Sequence, residues 1–196
     1  MRTLTAPTLA LLALHAAPAV GAPAVAVDVA GGWAITSYRH DHDSTLSGPA
    51  LNVALGAEWQ TGRVTVGAVA GLLAAPSIDQ SFGLGAGSVR DRLLVPHAGA
   101  FLSLPLARAP VTLGARLELA CGWLTGPILV QDARPITDTL SAVFGGLASV
   151  TGSYDLALAT AQRLSIGLDA TAGWLGRPSA HMTPLALLAF VGVRWD

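Results

Sequence analysis

The chain has little of what a water-soluble domain needs on its surface. Charged residues make up 12% of its 196 residues, against a usual share of about 25%. Aromatic residues make up 6%, and Cys121 is the single cysteine. One cysteine excludes a disulfide framework and a cysteine-based zinc site, and we interpret Cys121 as a small apolar residue. The net charge of -1 provides no basic field, so nucleic acid is not an expected partner.

Long hydrophobic runs are also lacking after the N-terminus. No run there reaches 18 apolar residues, so no transmembrane helix is predicted. The N-terminus itself combines Met1-Arg2, an apolar stretch over residues 4–14 and the A-x-A pattern Ala22-Pro23-Ala24. This layout predicts a secretory signal peptide over residues 1–24, with 17–19 as an alternative cleavage site. An uncleaved anchor is disfavoured because the apolar stretch is shorter than the ~20 residues of a span.

What the remaining chain has instead is a two-residue alternation. From Val111 to Leu119, every second residue is apolar and the others are Thr, Gly, Arg and Glu. Successive side chains of a β-strand point to opposite faces, so this pattern predicts a strand with one apolar face and one polar face. The alternation predicts eight strands, at residues 25–38, 51–60, 64–74, 94–106, 111–124, 142–156, 164–175 and 185–196.

The connections between these predicted strands alternate in length. Four are long, at residues 39–50, 75–93, 126–141 and 176–184. Three are short, at residues 61–63, 107–110 and 158–163. In an up-and-down antiparallel barrel, the long loops would emerge at one end and the short turns at the other. Outer-membrane barrels have this layout, with short periplasmic turns and longer extracellular loops.

All five tryptophans fall on the apolar side of their predicted strands. Trp33, Trp123 and Trp174 lie toward the long loops, whereas Trp59 and Trp195 lie toward the short turns. Two levels of indoles with aliphatic residues between them are typical of the aromatic belts at the two bilayer interfaces. This placement predicts an apolar face that meets lipid.

The polar side would then point into the lumen. Its charged and amide residues form the predicted polar network of Asp28, Asn52, Glu58, Arg116, Glu118, Asp169 and Arg194. Buried charges must be paired, so we expect the two arginines to pair with some of the four carboxylates. The interior of an eight-stranded barrel is just wide enough to be filled by side chains, which predicts a plugged lumen.

The closing segment, residues 185–196, resembles the C-terminal strand of outer-membrane barrels, which typically ends in an aromatic residue. Trp195 is penultimate here, because Asp196 follows it. Residues 25–196 as a whole resemble the small eight-stranded bacterial outer-membrane β-barrels of OmpA- or OmpX-like architecture. The resemblance implies export to the outer membrane, contact with its lipid, and recognition of the last strand by the barrel-assembly machinery.

No segment presents a convincing catalytic or metal-binding pattern. Residues 39–43 hold two His and two Asp, but adjacent residues in a loop make a poor preorganised cage for a metal ion. His97 lies on the inward side of its predicted strand, and His181 lies in the last long loop with Ser179 nearby. A lipid-modifying site would use a serine and a histidine, yet no G-x-S-x-G pattern is present. The glycine-rich residues 83–87 follow no phosphate-binding strand–helix context. We therefore expect no catalytic residues, no metal and no cofactor.

The sequence leaves several functions open. The leading expectation is a non-enzymatic barrel that serves envelope integrity or surface contact, with an extracellular partner at the long loops. The alternatives are a narrow solute or ion channel, a lipid-modifying enzyme and a soluble lipocalin-like carrier. The carrier is suggested only by Gly31-Gly32-Trp33, which matches the Gly-x-Trp triplet of lipocalins.

Overall fold

The structure, a computed structural model, describes residues 23–39, 43–81, 89–107, 109–125, 129–131, 134–136, 139–177 and 180–195. These residues form ten β-strands. They are β1 (Ala24–Arg39), β2 (Asp43–Thr61), β3 (Val64–Ser81), β4 (Val89–Pro105), β5 (Val111–Thr125), β6 (Leu129–Gln131), β7 (Arg134–Ile136), β8 (Thr139–Ala159), β9 (Gln162–Arg177) and β10 (Ala180–Trp195). Within the described part of the chain, no helix is long and apolar enough to cross a bilayer. The predicted signal peptide lies almost entirely outside the described residues.

Eight of these strands close into an antiparallel barrel. Neighbours in the chain are neighbours in the sheet, and β10 pairs with β1 to complete the circle. The small strands β6 and β7 pair only with each other, between β5 and β8. The predicted fold class, an all-β, eight-stranded up-and-down barrel, is confirmed.

The register fixes the tilt of the strands. Paired residues can be followed once around the barrel from Asp28, and the path ends at Tyr38, ten residues further along β1. The path runs through Ala54, Gly71, His97, Ala120, Gly145, Leu175 and Met182. A closed sheet with such an offset must tilt its strands, typically by about 35–45° from the axis.

The strands are longer than the alternation predicted. β2 begins at Asp43 instead of residue 51, and β3 continues to Ser81 instead of residue 74. The four predicted long loops are therefore largely strand, and only residues 40–42 separate β1 from β2. The prediction of a long loop is therefore wrong for the connection between β1 and β2. It is also wrong for the connection between β9 and β10, which comprises only residues 178–179.

The alternation fails where the strands change register. β2 and β3 shift register between Ser47 and Leu51, and β3 and β4 shift between Ala75 and Ile78. A bulge adds an unpaired residue and so interrupts the two-residue period, although the hydrogen-bonded ladder continues beyond it. The predicted strand boundaries at 51 and 74 coincide with these shifts.

The two faces of the barrel differ sharply in chemistry. Large apolar side chains cover the outside, and Leu117 and Leu119 of β5 are 72% and 79% exposed. The intervening Glu118 is buried inside at 5% exposure. An exposed apolar surface of this extent is expected for a wall that contacts lipid rather than water.

Candidate functional site

The seven residues of the predicted polar network all lie on inward-facing positions of their strands. Asn52, Glu58, Glu118 and Asp169 are buried, and the other three are partly buried. We call the end of the barrel with residues 62–63, 106–107, 109–110 and 160–161 the short-turn end, and the opposite end the loop end. The polar residues occupy the middle of the lumen and its short-turn end.

A first polar cluster lies near the short-turn end. Arg194 Nε donates to Glu58 Oε1 at 3.0 Å, and Arg194 Nη1 also contacts Ser165 Oγ. Ser165 in turn donates to Asp155 Oδ1 at 2.5 Å. Asp155 also accepts hydrogen bonds from Thr112 and Ser153. Strands β2, β5, β8, β9 and β10 are thereby joined across the lumen.

A second cluster lies at mid-height. The Arg116 guanidinium forms an ion pair with Asp169, whose Oδ1 accepts a hydrogen bond from Thr171 at 2.6 Å. Ser149 Oγ lies 2.8 Å from Thr171 Oγ1 and extends this chain of contacts onto β8. The pairing brings together two of the predicted residues, Arg116 and Asp169, from strands β5 and β9.

His97 forms the centre of a third polar cluster, beside the second. Its Nδ1 lies 3.0 Å from Glu118 Oε1, and its Nε2 lies 3.1 Å from Asn52 Oδ1. All three side chains are buried. Both ring nitrogens are therefore engaged, and neither one contacts a hydroxyl that it could activate. Glu118 thus pairs with His97, which the sequence placed on the inward side without a partner.

Asp28 is the member of the predicted network that stands apart. Its Oδ1 is buried without a hydrogen-bond partner among the described residues. This oxygen lies against Gly192, where a Cβ atom would be 1.9 Å from it. It therefore occupies the space that this glycine leaves in the wall of the lumen.

The loop-end half of the lumen is apolar, which the sequence analysis did not predict. Leu93, Val95, Val143, Leu175 and Met182 point inward and are fully buried. They belong to one cluster, the apolar plug, whose other large members are Leu73, Leu124, Leu147, Leu188 and Phe190. The sequence does contain a signal for this cluster, because consecutive residues are apolar at 72–73, 93–95 and 187–188. At these positions both the outward and the inward side chains are apolar.

Below the plug, the lumen contains a cavity of about 150 Å³. Its wall includes residues next to the short turns, such as the exposed Gln60 and Pro105, so the cavity opens at the short-turn end. Asp28, Asp155 and Arg163 also line it. The polar half of the lumen is thus partly open, whereas the plug closes the other half.

The five tryptophans lie on the outer face of the barrel. Trp33, Trp123, Trp174 and Trp195 are between 37% and 58% exposed, and Trp59 is partly exposed. Phe144 and Tyr154 also face outward, ten residues apart on β8. Ten residues of a tilted strand cover roughly 25 Å of height, about the thickness of the apolar band of such barrels. The contact of these rings with the two interfaces stays a prediction.

The other residues considered for catalysis or metal binding are not brought together within the described part of the chain. His181 is partly exposed at the loop end, whereas residues 40–42, 83–87 and Ser179 lie outside the described residues. The described ranges contain no group of three or more His, Cys, Asp or Glu side chains that could hold a metal ion. Cys121 is partly exposed on the outer face.

Comparison with known proteins shows that the fold of this chain is similar to solved structures. No protein-family model and no curated protein matches the chain. Among solved structures, the outer-membrane protease OmpT from Escherichia coli has 9% identity and a TM-score of 0.50, over 92% of this chain and 99% of that one. Neisserial surface protein A has 13% identity and a TM-score of 0.48, over 88% and 97%. Ail of Yersinia pestis has 10% and 0.47, over 86% and 97%.

The closed eight-stranded sheet and its apolar outer wall define a transmembrane β-barrel of the bacterial outer membrane. Only a closed barrel lets strands cross a bilayer with every backbone group paired. At these identities the likeness concerns the fold alone and carries no activity to this chain. The chain has the fold of the small eight-stranded outer-membrane barrels.

Proposed function

We propose that this barrel is a non-enzymatic, non-conducting protein that serves envelope integrity or surface contact through its loop end. The observation that carries the proposal is the two-part filling of the lumen. The apolar plug fills the loop-end half, and charged pairs cross the middle. A solute or ion would have to displace both layers to pass.

The physical argument against conduction is strongest at the plug. Leu175 and Met182 are fully buried there, and a Cβ atom added at Gly122 would lie 3.0 Å from atoms of both. Side chains packed this closely leave little room for water, and an ion that loses its water without gaining polar partners incurs a large desolvation cost.

Planar-bilayer recording of the purified, folded chain tests the proposal. We expect the wild-type protein to give no unitary current steps. A triple variant with Leu73→Ala, Leu147→Ala and Leu188→Ala should be leakier, because it removes bulk from the plug while the charged pairs remain. Discrete, reproducible conductance of the wild-type barrel would favour the narrow-channel alternative and overturn the proposal.

The remaining alternatives have less support. A lipocalin-like carrier keeps its apolar surface in an internal cavity, whereas Trp33 of the Gly-x-Trp triplet is 54% exposed on the outside here. For the lipid-modifying enzyme, His97→Gln and His181→Gln are the informative variants, because glutamine preserves part of the hydrogen bonding of His97. We expect the lipid A composition of expressing cells to be the same with either variant as with the wild type.

The proposed partners follow from the two ends of the barrel and from its wall. Outer-membrane lipid would cover the outer face, and an extracellular partner would bind at the loop end. The assembly machinery would recognise β10, where Trp195 is 40% exposed beside the N-terminal end of β1.

A further inference from the structure

The cavity at the short-turn end has no part in the proposed surface role. It measures about 150 Å³ and lies in the lumen, below the apolar plug. Such a volume has room for several water molecules, since one water needs about 10–15 Å³. The space is therefore large enough for a small solute. In outer-membrane barrels the short turns face the periplasm, so a ligand would enter from that side.

One carboxylate in the wall of the cavity has an oxygen without a hydrogen-bond partner among the described residues. Three arginines and four acidic residues line it. Glu58 pairs with Arg194, Asp169 pairs with Arg116, and Asp155 accepts hydrogen bonds from three hydroxyl groups. Asp28 differs from these three acids, because its Oδ1 has no hydrogen-bond partner among the described residues.

Aromatic rings accompany this carboxylate in the cavity wall. Phe190 lies on β10 two residues from Gly192, the register partner of Asp28. Phe101 of β4 contributes a second ring to the lining. A carboxylate and aromatic rings that line one partly enclosed space are the groups that bind organic cations, through ion pairing and cation–π attraction.

We propose that the cavity binds a small organic cation carrying an ammonium or guanidinium group, with Asp28 as its counter-ion. The cation enters from the short-turn end and stops below the apolar plug. Binding there does not require the barrel to conduct, so the pocket would be occupied from the periplasmic side only.

Titration calorimetry of the full-length folded barrel in detergent micelles tests this at constant ionic strength. The probe is methylguanidinium chloride, and N-methylurea serves as a neutral compound of nearly the same shape. We expect saturable binding of methylguanidinium, and binding weaker by about tenfold or more for N-methylurea. Equal affinity of the two compounds, or no saturable binding, overturns the proposal without reference to any variant.

Two carboxamide variants then test the role assigned to Asp28. Asp28→Asn should weaken methylguanidinium binding by about tenfold. Asp155→Asn removes the same charge from the same cavity, but that carboxylate is already occupied by hydroxyl groups, so we expect a change within about twofold. An equal loss in both variants would mean that general negative charge binds the probe, and the assignment of Asp28 would be wrong. Heat-modifiable migration on a gel verifies that each variant is folded.

Discussion

Arg116 is a charged residue whose side chain lies inside the lumen. It projects from β5 into a space that it shares with Asp169 of β9, and the two form an ion pair away from bulk water. Leaving either charge without the other costs far more than the pair itself contributes, because the remaining ion is not solvated. The pair therefore contributes to the correct register of two strands that are not neighbours in the sheet.

We predict strongly non-additive effects for this pair. Arg116→Met and Asp169→Leu should each lower the free energy of unfolding by about 3–5 kcal/mol, and the double variant should lose less than the sum of the two. Equilibrium unfolding in urea from lipid vesicles measures all four proteins of the cycle. Additive losses would show that the two side chains act independently.

Sequence analysis could assign the network residues to the inside, but not to each other. The alternation determines which face Arg194 and Glu58 occupy, since the period of a strand is two. Their contact joins residues 136 positions apart in the chain. It depends on the tilt and register of the whole barrel, which no local pattern contains. The same reason explains why the partners of His97 were not predicted.

At the scale of the strands, two phenylalanines inside the barrel lie over glycines of the adjacent strand. Phe101 of β4 is the register partner of Gly67, and Phe190 of β10 is the register partner of Gly167. A Cβ atom at Gly167 would lie 2.7 Å from the Phe190 ring and 2.2 Å from the Gly152 carbonyl oxygen. These glycines allow the rings to lie flat against the wall, as in the aromatic rescue of glycines in designed sheets.

We predict that Gly167→Ala lowers the free energy of unfolding by about 1–3 kcal/mol, because the methyl group must push the ring or the neighbouring strand away. Gly31→Ala is the matched control, since a Cβ atom there meets only the Ala50 carbonyl oxygen at 4.0 Å. Urea unfolding of both variants provides the comparison. A control as destabilised as Gly167→Ala would indicate a general intolerance of alanine and remove the explanation by close contact.

Strand boundaries were predictable only where the alternation is unbroken. β5 was predicted at 111–124 and is observed at Val111–Thr125, because its period persists for nearly its whole length. β2 was predicted eight residues too short at its beginning, since the register shift between Ser47 and Leu51 removes the period there. Pro49 lies within this irregular stretch, which fits the restriction of proline to bulges and edges in sheets.

The molecule as a whole has an extended apolar surface on its outside, whereas its paired charges lie inside the lumen. Leu168 of β9 is 60% exposed and lies about midway between Trp174 and the short turn at 160–161. Asp169, the next residue, is 2% exposed. This inversion relative to a soluble protein is stable only with lipid as the surrounding solvent.

The depth of a residue on the outer wall should decide how well it tolerates charge. We predict that Leu168→Arg costs about 2–4 kcal/mol of folding free energy in lipid vesicles, as at the bilayer midplane. Leu104→Arg, one residue before the end of β4 on the same outer face, should cost about 0–1 kcal/mol because it lies near the interface. Equal costs at both positions would contradict the proposed placement of the bilayer.

The sequence by itself determined that this protein is a set of eight two-faced strands and which residues share each face. That information is local, because a strand alternates its side chains with a period of two wherever it lies. Only the tertiary structure decided how far the strands extend, which charges meet, and that the lumen divides into an apolar plug and a polar cavity. These properties depend on strand tilt and barrel closure, which bring distant parts of the chain to the same height.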